Sequence, residues 1–170
     1  MSANSVKNFR ANSLNDPDAT GVGHQPRGYD QLKGLYEHSE VLSSTITCRF
    51  VNKHSTNAPI GGIFVADSVS YPNDGYSMYE DGTCRFKRCG PAGGPSCQTV
   101  KHGTNISKFT GTPHGADSLK CNADTDPADE VFYVVAVHDG VKGVSDAQVE
   151  VTVQIVYDVE FTQPKRINMS

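Results

Sequence analysis

From residue 147 to residue 161 every odd position is apolar: Ala147, Val149, Val151, Val153, Ile155, Tyr157, Val159 and Phe161. The even positions are Gln148, Glu150, Thr152, Gln154, Asp158 and Glu160, polar except for Val156. Side chains alternate across an extended chain with a period of two. The segment is therefore one strand with a buried face and a wet face, roughly 50 Å long at about 3.3 Å per residue. A helix would spread the same apolar residues around its whole circumference. A strand this long needs a facing sheet to cover its apolar side, which means a sandwich or a barrel.

Further strands follow from the same pattern. In residues 42–52, Leu42, Ile46, Cys48 and Phe50 point one way and Ser43, Thr45, Thr47 and Arg49 the other. Residues 131–138 (VFYVVAVH) are apolar at every step but the last and read as a central strand covered on both faces. Residues 62–69 and 6–14 complete the clearer set, with fainter candidates at 83–88, 105–110 and 118–121. One short helix is expected at 29–37, where Leu32, Leu35 and Tyr36 share a face. Gly, Pro, Asn and Asp punctuate these runs, and no long helix-forming stretch intervenes. About eight antiparallel strands in two sheets, with one short helix, make a single jelly-roll β-sandwich over residues 1–170.

Charge and motif content exclude most chemistry. The chain carries 15 Lys and Arg against 19 Asp and Glu, a formal net charge of -4. A nucleic-acid-binding domain is ordinarily basic. No apolar run approaches the roughly 20 residues of a membrane span. The first ten residues are polar, unlike a signal peptide, so a cytosolic or nuclear origin is expected. Five cysteines, Cys48, Cys84, Cys89, Cys97 and Cys121, are odd in number and lack paired zinc-ligand spacing, which predicts free thiols. The six histidines are scattered, no nucleophile elbow is present, and the glycine-rich loop at 90–96 lacks the Lys of a phosphate cradle. An enzyme is not expected, and neither is a cofactor.

Two local features remain. The acidic stretch at 124–130 offers Asp124 and Asp126 as oxygen ligands for a cation, although Asp and Pro ahead of an apolar run are also the makings of a solvated turn. The candidate nucleic-acid contacts are Lys7 and Arg10 near the start and Arg85, Lys87 and Arg88 beyond the middle. For the last three a mixed solvated surface is the better reading.

The run Asn12-Ser-Leu-Asn-Asp-Pro-Asp18, followed by Gly21-Val-Gly-His-Gln-Pro-Arg-Gly-Tyr-Asp30, resembles a block found in the capsid proteins of circular, replication-initiator-encoding single-stranded DNA viruses. In that group a short helix with a Tyr and a strand of the form V-x-x-S-x-I-x-x-x-F come next, matched here by Tyr36 and residues 41–50. The closing Tyr157-Asp-Val-Glu-Phe161 with Pro164 and Lys165 is similar as well. The resemblance covers residues 8–52 and 131–165. It implies a virion protein, about sixty copies of which close the smallest icosahedral shell around a circular genome. The basic N-terminal arm common in that group is missing from this sequence, so weak DNA contact at most is expected.

Within the block, Gly21, Gly23 and Gly28 suit backbone angles closed to other residues, and Pro26 stiffens the turn. Asp30 is placed to cap the helix. His24, Gln25 and Arg27, with Tyr29, are expected to serve the loop or a neighbouring subunit. A lectin-like β-sandwich is the alternative, with Tyr71, Tyr76 and Tyr79 as aromatic platforms.

Overall fold

The computed structural model describes residues 4–21, 23–69, 80, 82–122, 125–139 and 148–166. Tyr71, Tyr76, Tyr79, Asp124 and the first residue of the long alternation, Ala147, fall outside them.

Eight strands build two sheets. In chain order they are β1 (Asn4–Arg10), β2 (Tyr36–Asn52), β3 (Ile60–Ala66), β4 (Arg85–Arg88), β5 (Cys97–Asn105), β6 (Lys120–Cys121), β7 (Phe132–His138) and β8 (Val149–Pro164). Among the described residues, two named helical segments join them, α1 (Tyr29–Leu35) and the five-residue α2 (Ile106–Thr110), with a 3-10 turn at Asp117–Leu119. The first sheet runs β1-β7-β3-β4. In the second, β2 carries β8 along one edge, and β5 and the two-residue β6 lie end to end along the other. All pairings are antiparallel, and the result is a jelly-roll-like sandwich.

The core lies where the inner faces meet. Ile46, Cys48 and Phe50 of β2 pack against Ile63 and Val65 of β3 and Tyr133 and Val135 of β7, all buried. Gly61 permits a close inter-sheet approach, since a Cβ placed there would lie 2.5 Å from the Phe50 ring. The alternate residues of β7 and β3, Val134, Ala136 and Phe64, are buried in a second cluster on the outer face. That is why residues 131–138 lack a polar face.

The expected elements are present with several corrections. β2 begins six residues earlier than its alternation suggested and contains a register shift between Val41 and Ser43. Before the shift Ser39 and Val41 are buried, and after it Ser44, Ile46, Cys48 and Phe50, which leaves Leu42 only half-buried. Ser44 is satisfied inside, donating to the Ala11 carbonyl at 2.6 Å while its own carbonyl accepts from the Tyr133 hydroxyl at 2.8 Å. The strand expected at 105–110 is instead helix α2. Asn105 Oδ1 accepts from the Lys108 amide at 2.9 Å as its N-cap, and Gly111 ends it at φ 74. The odd residues of β8 do face the core, but they are only partly buried. The sandwich gapes along that side, leaving an apolar cleft of about 320 Å³ among Phe9, Val135, Val137, Val149, Val151 and Val153.

Candidate functional site

The resemblance block leads into α1 through a tight turn. The Pro26 carbonyl accepts from the Tyr29 amide at 3.2 Å, and Gly28 takes φ 86, a left-handed angle that side chains resist. Asp30 does not cap the helix: the N-cap is Gly28, with no side-chain bond, and Asp30 is an exposed member of the first turn. There its charge still favours the helix N-terminus. The buried face is not Leu32, Leu35 and Tyr36 either, because Leu32 and Leu35 are 41% and 46% exposed. Tyr29 and Lys33 are buried instead. Tyr29 packs against Phe161 of β8 with ring centroids 6.5 Å apart, and its hydroxyl lies 3.5 Å from Ser39 Oγ. Lys33 runs over the Tyr29 ring and donates to the Cys121 carbonyl at 2.6 Å. Gln25 donates to Asn15 Oδ1 at 3.0 Å, whereas His24 and Arg27 are exposed. The block thus locks the helix onto the last strand, with His24 and Pro26 beside Phe9, Val153 and Tyr157 at the cleft's end.

The five candidate nucleic-acid cations separate into two groups. Lys7 pairs with Asp18 at 2.9 Å. Arg10 is 15% exposed and enclosed by carboxylates, with Nε 2.6 Å from Glu130, Nη1 3.1 Å from Asp16 and Nη2 3.4 Å from Asp126. Burial opposes its charge, but the hydrogen bond to Glu130 and the fields of Asp126 and Asp16 outweigh it, and its pKa is raised. Arg10 is therefore a fastener between β1 and the approach to β7. Asn12 works beside it, donating to the Asp129 carbonyl at 2.7 Å and accepting from the Val131 amide at 2.9 Å. Asp126, the cation-ligand candidate within the described residues, also accepts from Ser13 Oγ at 2.6 Å. Among the described residues no group of three or more His, Cys, Asp or Glu is arranged to hold a metal.

Arg85, Lys87 and Arg88 differ from these. All four residues of β4 are exposed, and none of its three cations has an acidic partner within 4 Å among the described residues. The strand pairs β3 on one edge and lies beside β5, where His102 Nε2 donates to the Thr83 carbonyl at 2.6 Å. Lys101 on β5 adds an exposed cation nearby. A sequence signal for this patch was available. Residues 82–116 hold five of the 15 cations and none of the 19 acids, leaving ten cations against nineteen acids elsewhere. Among the described residues, this edge presents exposed cations with no acid paired to them.

All five cysteines are free thiols. Burial pushes the Cys48 thiol up to about 12 and Cys121 up to about 11. Cys89 is buried too, while Cys97 is exposed and accepts from Arg49 Nε at 3.0 Å.

No protein-family model matches the chain, and no curated protein does. Among solved structures it is similar to tobacco necrosis virus, at 11% identity and a TM-score of 0.51, with 96% of this chain aligned to 76% of that one. It is also similar to Desmodium yellow mottle tymovirus, at 9% identity and a TM-score of 0.45 over 100% of this chain and 93% of that one. A third similar structure is a T=1 subviral particle of a Penaeus vannamei nodavirus capsid protein deletion mutant, at 11% identity and a TM-score of 0.44, covering 95% and 96%. At such identities the likeness is one of fold. The chain shares the jelly-roll fold of the tobacco necrosis virus structure.

Proposed function

We propose that this chain is the coat subunit of a small virus with a circular single-stranded DNA genome. Each subunit is one jelly-roll domain, and about sixty copies close a T=1 icosahedral shell. It is made in the host cell and resides in the virion, with a structural rather than a catalytic role. The observation that carries this reading is the convergence of the 12–30 block with the sandwich. Within the block, Asp16 and Asp18 pair with Arg10 and Lys7 of β1, Asn12 bonds the segment ahead of β7, and Tyr29 packs α1 on Phe161 of β8. Genome contact is weak in this reading: the net charge is -4, and Lys7 and Arg10 are already neutralised by carboxylates. Phosphate binding draws on free Lys and Arg, each adding to its salt dependence.

Electron microscopy and sedimentation of the purified chain test the proposal, with nuclease present during assembly. Closed particles of uniform size, forming with nuclease present and with the ultraviolet absorbance ratio of nearly pure protein, are expected. Monomers or small open rings across a range of salt and protein concentration refute the shell. Loss of particles on nuclease digestion refutes the weak-contact part of the reading.

A further inference from the structure

The two lateral edges of the sandwich differ in sign. At one edge β4 lies next to β5, with Arg85, Lys87, Arg88 and Lys101 exposed and no acid anywhere in residues 82–116. At the other edge β8 lies over β1, and its second edge pairs with no described strand. The outer face of β8 presents Asp158 and Glu160, both exposed and with no cation within 4 Å among the described residues. Each edge also exposes one large apolar side chain: Phe86 on β4, 52% exposed, and Val156 on β8, 61% exposed.

The spacing matches as well as the sign. On β4, Phe86 and Arg88 are two residues apart and share a face; on β8, so do Val156 and Asp158. One alignment therefore sets apolar against apolar and cation against carboxylate. We propose that successive copies associate head to tail, the β4 edge of one subunit docking through Phe86 and Arg88, with Arg85 and Lys87 flanking the contact from the strand's other face, on the β8 face (Val156, Asp158, Glu160) of the next. The contact is heterologous, because the two patches lie on opposite sides of one molecule. Such contacts close into rings when the rotation permits, which is what the rotation axes of a shell require. The inference rests on the proposed shell and identifies which surfaces meet in it. It also accounts for a basic strip on an acidic chain: its acidic counterpart is carried by the same chain, and a partner of another kind is not needed.

Charge reversal tests the pairing. In R85E/K87E/R88E and in D158K/E160K, like charges face each other across the contact, and the protein concentration needed for assembly should rise about tenfold or more. Combining both sets restores opposite signs and should return assembly toward the wild-type threshold. The neutral R85Q/K87Q/R88Q gives an intermediate rise, and circular dichroism with thermal melting confirms that each variant is folded. Unchanged thresholds in the folded single-edge variants overturn the contact, as does failure of the folded combined variant to recover. A β4 variant that assembles normally but loses binding to a fluorescent oligo-dT also overturns it and assigns the edge to nucleic acid. Wild-type particles with unresponsive variants leave the shell standing and remove this contact; absence of wild-type particles removes the shell itself.

Discussion

Replacing Gly61 with alanine sets a methyl group into the ring of Phe50. A Cβ at this position would lie 2.5 Å from two ring carbons and 2.8 Å from a third, where ordinary contact begins at 3.4 Å. The ring or the sheet must therefore give by roughly 0.9 Å in an interior packed like an organic crystal. Phe50 is fully buried between β5 and β8, so it has no exposed side toward which to move. Overpacking of this kind costs about 1–3 kcal/mol. A chain of this length loses about 2–4 °C of Tm per kcal/mol, so Gly61→Ala is expected to melt roughly 2–12 °C lower. The assay is thermal melting of unassembled subunits, because assembly would add a concentration-dependent stabilisation. Phe50→Leu removes the ring edge that the methyl group strikes. The double variant should be about 1 kcal/mol or more better than the sum of the singles, the coupling expected of residues in contact. A Gly61→Ala protein melting within about 1 °C of wild type, or strict additivity with Phe50→Leu, would refute the close inter-sheet approach.

Arg10→Gln leaves Asp16, Asp126 and Glu130 facing one another without their cation and should cost about 3 kcal/mol in urea unfolding at neutral pH; a loss below about 0.5 kcal/mol would show that the cluster is not fastening β1. Asp18 is desolvated, which raises its pKa, but the hydrogen bonds from Lys7 and Thr20 prevail and hold it below the ordinary carboxylate value. Its contribution to stability is thus present above the unfolded-state pKa and lost as pH falls through the lowered folded-state value. Asp18→Asn should accordingly flatten the acid limb of the stability profile below about pH 4; an unchanged acid limb would contradict this. A thiol reagent at pH 8 should modify exposed Cys97 first and reach Cys48 and Cys121 only on unfolding, in step with their raised values; labelling of Cys48 in the native state, read by mass spectrometry, would count against the described core.

Local periodicity was enough to place the long last strand and the faces of β8 and β7, because alternation across an extended chain is a property of neighbouring residues. The ends of helix α2 were equally local and legible, with Asn105 as N-cap and Gly111 in a left-handed conformation. The acid-free stretch at 82–116 was also open to inspection, though only the fold shows that its charges collect along one edge opposite Asp158 and Glu160. Other features depend on residues far apart in the chain. Arg10 looks like a free cation until Glu130, 120 residues away, comes within 2.6 Å. Leu32 and Leu35 look like a buried stripe until α1 turns Tyr29 and Lys33 inward to meet Phe161 and the Cys121 carbonyl. The half-burial of Val149 to Phe161 depends on how far the sheets part beside β1, not on the strand's own pattern. Periodicity sets which face a side chain takes, whereas its neutralisation and degree of burial depend on what packs against that face, and this is decided only when both sheets are in place.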